Sequence, residues 1–106
     1  MSQLADTAFS IIAAAGEGRA HILEALKQAR QGDFAKADEL MKRAEERLLT
    51  AHRTQTEKFL KREAAGEIDD SMTVIVAHAQ DYVMTAMTMK DIAVELLYMY
   101  RRFSQL

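Results

Sequence analysis

Val76-Ala77-His78-Ala79-Gln80-Asp81-Tyr82-Val83-Met84-Thr85-Ala86-Met87 is an apolar run broken by a histidine and a carboxylate three residues apart. It shows no strand alternation and no turn residue, so it reads as helix. Residues three and four apart are neighbours on one helix face, which predicts His78 stacked beside Asp81. Apolar surroundings penalise idle polar groups, and a nucleophile or ligand with an adjacent anion is an arrangement that would justify both. A lone histidine in an apolar helix is more often a packed, hydrogen-bonded core residue than a working one. Both readings stand at this point, and the adjacent carboxylate weighs toward function, because perturbed charged pairs concentrate at functional sites.

The apolar character extends well beyond this stretch. From Met72 to Met89 the run is long enough to invite a membrane-spanning reading. His78, Gln80, Asp81 and several threonines in its middle argue against that, since a lipid-exposed carboxylate is expensive. The expectation is a helix buried on several sides, with no direct membrane insertion. It should end near Phe103, with Asp70 or Ser71 as its cap and with Arg101 and Arg102 complementing the negative end of the helix dipole. A helix that is apolar nearly all round wants burial all round. Two neighbours cannot supply that, so self-association through this third helix is expected. Asp81, Thr85, Thr88 and Ile92, spaced four, three and four apart, form a coiled-coil seam interrupted by polar groups. Such buried polar positions set register and oligomer state at some expense in stability.

Two more helices precede it. The chain has 106 residues, which predicts one domain over residues 1–106, and 49% of them are hydrophobic, enough for a core. It contains no proline, and its few glycines fall mostly where helices should stop. The first helix should run from about Leu4 to Gln31, burying Phe9, Ile12, Gly16, Ala20, Leu23 and Leu26. Gly16 and Gly18 weaken its middle, which points either to close packing against another helix or to a bend beside a site. Gly32 suits a left-handed C-terminal stop, and Asp33 suits the next N-cap. The second helix should span about Phe34 to Ala64, with Ala37, Met41, Ala44, Leu48, Ala51, Gln55 and Phe59 on a near-heptad inner stripe. Its opposite face, from Lys42 to Arg62, is a solvated mixture of charges. Gly66 is the second stop. The fold expected is therefore all-α, an antiparallel three-helix bundle that associates through its third helix.

Several kinds of chemistry are disfavoured. The formal charge is −2, which argues against a nucleic-acid partner, since such proteins usually carry a basic patch. With no cysteine, disulfides and thiolate metal sites are excluded, in keeping with a reducing cytosol. The N-terminus lacks the basic start and apolar core of a secretory signal. There is no Gly-rich phosphate loop and no Gly-x-Ser-x-Gly. His21, His52 and His78 on three helices could in principle form a metal site, but no Glu-x-x-His pair of the di-iron type occurs. His52 lies on or next to the inner face of its helix, as a core histidine or a supporting partner for His78, whereas His21 looks like a surface residue. The seven methionines are core filling or an adaptable docking patch.

At this point the residues resemble a family. His78-Ala79-Gln80-Asp81 with Val83-Met84-Thr85-Ala86-Met87 is similar to the active helix of enzyme IIA of the lactose/cellobiose (diacetylchitobiose) group, in the bacterial phosphoenolpyruvate-dependent sugar phosphotransferase system. Ile22-Leu23-Glu24-Ala25-Leu26, Gly32-Asp33-Phe34-Ala35-Lys36-Ala37, Ala51-His52 with Gln55-Thr56, Glu63-Ala64-Ala65-Gly66, Lys90-Asp91 and Leu97-Tyr98 extend the likeness over nearly the whole chain. The resemblance implies a cytoplasmic three-helix protomer assembled as a homotrimer, with His78 transiently phosphorylated. The donor would be the histidine phosphocarrier protein. The acceptor would be a cysteine of the sugar-specific IIB component, which serves the membrane component IIC during uptake of a disaccharide. The residue matching Asp81 gathers near the threefold axis in that family and binds a divalent cation, usually magnesium. Tyr82 departs from the pattern, since many members carry a second histidine there. Gln80, Gln55 and His52 are candidates to orient the imidazole or to hydrogen-bond the phosphoryl oxygens. Asp81 itself would repel an incoming phosphoryl group, and three such carboxylates would repel one another, so a cation or partial protonation is expected. The competing reading is a non-catalytic helical oligomerisation module in which His78 and Asp81 only set register. A metal-storage or metal-sensing bundle is a third.

Overall fold

The computed structural model describes residues 3–68 and 73–106. Helix α1 spans Gln3–Arg30 and α2 spans Phe34–Gln55. The second rod continues through a π turn at Thr56–Leu60 into a last α turn, α3, at Lys61–Ala64. Helix α4 spans Val74–Ser104. The three rods pack as an antiparallel bundle with extents of 57 × 23 × 19 Å. Among the described residues there is no strand, and no helix is long and apolar enough to cross a membrane.

Both stop signals act through the same backbone device. Gly32 and Gly66 take φ of 85° and 75°, the left-handed region that only glycine enters freely. At the first, Asp33 N–H donates to Gln28 O at 2.9 Å and Gly32 N–H to Ala29 O at 3.0 Å. At the second, Glu67 N–H donates to Arg62 O at 2.9 Å and Gly66 N–H to Glu63 O at 3.0 Å. These paired bonds satisfy carbonyls that a helix end otherwise leaves open. Asp33 caps α2 as expected, accepting from Lys36 N–H at 3.0 Å. The cap of α4 is different from the expected one. Thr73 takes that role, accepting from Val76 N–H at 3.3 Å, while Asp70 and Ser71 lie outside the described residues.

The core is a small-residue seam. Ala8, Ile11, Ala15 and Ile22 of α1 meet Ala44, Leu48 and Ala51 of α2 and Ala79, Val83 and Ala86 of α4. The inner stripe of the second helix follows the sequence reading, with Leu40 buried and Met41 half-buried. The first helix is rotated from its expected face. Phe9 and Leu23 are 47% and 54% exposed, and Ala20 is exposed too, whereas Ala8, Ile11, Ala15, Ile22 and Ala25 are buried. The true stripe lies one residue before the expected one because alanines, not large side chains, line the contact. Close approach is what this geometry needs. A Cβ added at Gly18 would stand 2.7 Å from Leu48 Cδ2 and 3.3 Å from Ala44 O. Of the two roles considered for the glycine pair, Gly18 therefore takes the packing role.

Polar ties sit at the edges. Glu17 and Arg47 pair at 3.0 Å between α1 and α2. Arg101 near the end of α4 pairs with Asp38, stacks on the Phe34 ring at 5.5 Å from its centroid and donates to Phe34 O at 3.4 Å. The Asp38 hydrogen bond holds the Arg101 guanidinium above its ordinary pKa. Helix α4 packs mainly on α1 and touches α2 little. It buries Val76, Ala79, Val83, Ala86, Ala93 and Leu97, and leaves Val74, Met84, Ile92, Leu96, Met99 and Phe103 exposed in the single chain.

Candidate functional site

His78 lies in the second turn of α4, carried on a helix whose inner side is anchored by Val76, Ala79 and Val83. The anchoring fixes the backbone beneath the imidazole, while the imidazole itself is solvent-exposed. Val74, Ala77, Gln80, Asp81 and Met84 complete a shallow depression around it. Its rim mixes the polar Gln80 and Asp81 with the apolar Val74, Ala77 and Met84, and Val74 is 88% exposed. An exposed side chain on a rigid element, beside exposed apolar groups, is accessible to another macromolecule.

The expected pairing of His78 with Asp81 takes a looser form. Both line the same depression, but no hydrogen bond joins them, and Asp81 is exposed without an ion pair or hydrogen bond among the described residues. The expectation of apolar surroundings for both groups does not hold within one protomer. The immediate neighbour of the imidazole is Tyr82, one turn on. The two rings meet edge-on at 5.7 Å between centroids and 86° between planes. The Arg19 guanidinium from α1 lies 5.6 Å from the centroid of the Tyr82 ring. The Tyr82 hydroxyl rests beside Gly16, where an added Cβ would stand 3.7 Å away. Sequence reasoning missed Arg19 and gave Tyr82 no role. The i, i+4 spacing of His78 and Tyr82 was a usable signal; the α1–α4 register that delivers Arg19 was not.

The other candidates are dispersed. Gln80 is half-buried within the depression. His52 is half-buried in a separate groove between α2 and α4, with Leu49, Met87 and Lys90. Gln55 is 4% exposed and sits where α2 gives way to the π turn. Neither His52 nor Gln55 lines the His78 depression of its own protomer. His21 is half-buried rather than fully on the surface. Among the described residues no cluster of three or more His, Cys, Asp or Glu side chains forms a metal site within one chain, which removes the three-histidine arrangement.

Comparison with known proteins places this geometry. The lactose/cellobiose-specific IIA subunit family of the phosphotransferase system matches residues 6–101. The lactose-specific EIIA component of Lactococcus lactis subsp. lactis is 45% identical over 94 residues, covering 89% of this chain and 88% of that protein. The crystal structure of the cellobiose-specific enzyme IIA from Bacillus anthracis superposes with a TM-score of 0.93 at 36% identity, covering 99% of this chain and 94% of the other. The chitobiose IIA in its solution structure with HPr superposes with a TM-score of 0.83 at 31% identity, covering 98% and 99% of the two chains. Fold and matches together define a sugar-specific component of the phosphotransferase system. The chain belongs to its lactose/cellobiose-specific IIA family.

Proposed function

We propose that the chain is a phosphohistidine relay, taking a phosphoryl group from the phosphorylated histidine phosphocarrier protein on His78 and passing it to a cysteine of a IIB component during disaccharide uptake. The observation that supports this best is the exposed imidazole of His78 on a core-anchored helix, ringed by Val74, Ala77 and Met84. The related chitobiose IIA, solved with HPr, supports the donor.

The chemistry needs little beyond alignment. A neutral imidazole nitrogen is nucleophilic. In the first step a nitrogen–phosphorus bond forms at His78 as the equivalent bond in the donor breaks. In the second, a sulfur–phosphorus bond forms at the acceptor thiolate as the His78 bond breaks. Like bonds are exchanged in the first step, so the protein has mainly to position the groups and balance their charge. Gln80, half-buried in the same depression, is placed to orient the imidazole or donate to phosphoryl oxygens. His52 and Gln55 reach the site only if a neighbouring copy presents them.

We propose further that three copies pack through the outer face of α4. Asp81, Thr85, Thr88 and Ile92 are all exposed there. The Asp81 carboxylate on that face has no side-chain partner among the described residues and offers oxygen donors, the set that magnesium prefers. Three symmetry-related Asp81 carboxylates would hold the ion. Bound there, it would neutralise their mutual repulsion. The work is cytoplasmic, on the side where the phosphocarrier operates.

Incubation with phosphoenolpyruvate, enzyme I and the phosphocarrier tests the relay. The wild-type chain is expected to gain one acid-labile phosphoryl group at His78, and His78→Gln is expected to fold normally and gain none. No phosphorylation of the wild type would favour the oligomerisation module, and label persisting in His78→Gln would move the site to His52 or His21.

A further inference from the structure

Resting on the relay reading, we infer that Tyr82 is a positioning residue for His78, and that Arg19 of α1 holds Tyr82 in place. An exposed histidine on a helix is otherwise poorly aimed. Two χ1 wells are open to it on a helix, and its ring adopts two broad χ2 orientations. Unrestrained, one nitrogen faces a docked donor correctly about one time in four. His78 is exposed and has no hydrogen bond to fix its ring among the described residues. Among the described residues Tyr82 is the side chain in ring contact with it.

The geometry explains why position 82 can do this. Helical side chains lean toward the N-terminus, so a residue covers the turn before its own Cα. Tyr82 therefore lies over the turn that carries His78, and the rings meet at 86°, an edge-to-face arrangement in which the electron-rich face of one ring attracts the electropositive rim of the other. Tyr82 is itself held from three sides. Its ring packs on the core cluster, its hydroxyl rests beside Gly16, and Arg19 stands 5.6 Å from its ring centroid. A cation at that distance is attracted by the ring quadrupole. Two helices thus converge on the imidazole, although only one of them carries it. A role in positioning also gives Gly16 a purpose: a large side chain there would push the Tyr82 hydroxyl off α1.

The test combines a conformational and a kinetic readout. Three-bond couplings report the His78 χ1 population without any phosphoryl transfer, and rapid-quench transfer from phosphorylated phosphocarrier separates kcat from KM. Tyr82→Leu is expected to average the His78 couplings over both wells and to lower kcat about fourfold, the factor from the lost alignment. KM should stay within about twofold, because alignment and not docking is lost. Tyr82→Phe keeps the ring and should restore both readouts. Arg19→Gln, a change at a half-buried polar position that should not impair folding, is expected to shift the couplings partway and lower kcat about twofold. Phosphoramidate, a small donor that needs no docked alignment, should phosphorylate all variants at the wild-type rate. Unchanged His78 couplings in both Tyr82→Leu and Arg19→Gln would overturn the inference, as would a raised KM at unchanged kcat, which is the signature of docking. Should the wild type take no phosphoryl group from the phosphocarrier, the relay falls, and the couplings alone decide whether Tyr82 orders His78.

Discussion

Gly16 and Gly18 are two residues apart on one helix, yet alanine should stabilise at the first and not at the second. Each substitution gains the same helix propensity, about 1 kcal/mol. What differs is the space. At Gly16 an added Cβ meets nothing closer than the Tyr82 hydroxyl at 3.7 Å, an ordinary contact. At Gly18 it would stand 2.7 and 2.8 Å from Leu48 Cδ2 and Cγ, and 3.3 Å from the Ala44 carbonyl. Leu48 is 3% exposed, so either its side chain must repack or α1 and α2 must separate slightly along the alanine seam. Overpacking of this kind costs about 1–3 kcal/mol. Gly16→Ala should therefore stabilise by about 1 kcal/mol, and Gly18→Ala should be neutral to destabilising by about 2 kcal/mol. Because propensity cancels between the two, their difference reads the helix–helix contact directly. Urea denaturation followed by circular dichroism, at one fixed protomer concentration so that association does not shift the midpoint, measures it. Equal stabilisation by both substitutions would refute the close approach at Gly18.

Three further outcomes are expected. Ile22→Ala removes a fully buried side chain and should cost about 2–5 kcal/mol in the same denaturation experiment. Leu23→Ala, one residue on and half exposed, should cost much less, and a reversal would restore the face first expected from sequence. On the proposed threefold packing, Asp81→Leu should raise the thermal midpoint of the assembly at neutral pH and abolish any dependence of that midpoint on magnesium, because it would remove the like charges brought together at the axis; dissociation into protomers, seen by light scattering, would refute the axial placement.

The helix boundaries were legible because glycine carries them chemically. Gly32 and Gly66 adopt the positive φ that their sequence context suggested, and Asp33 caps as expected. The inner stripe of α2 was legible because its charged face leaves one choice. The α1 face was not, since Phe9 and Leu23 outweigh Ala8 and Ala15 in any reading by side-chain size, while an alanine seam rewards the smaller residues. The π turn at Thr56–Leu60 has no composition that announces it. At the site, His78 stood out as a polar residue in an apolar run. Its ring neighbour did not, because i+3 and i+4 are both neighbours on paper, and the backward lean of helical side chains favours Tyr82 over Asp81. Arg19 depended on the packing register of two helices that brings together residues 63 apart in sequence, which no local pattern encodes.

His78 lies four residues into α4, with the far end of that helix about 39 Å away at 1.5 Å per residue. On the proposed relay, His78 would be the one loading dock. Donor and acceptor would then compete for that side chain, so no ternary complex of phosphocarrier, chain and IIB would form on a single histidine. Initial-rate plots against both partners should give the parallel lines of a ping-pong exchange, and excess unphosphorylated phosphocarrier should act as a competitive brake on delivery to IIB.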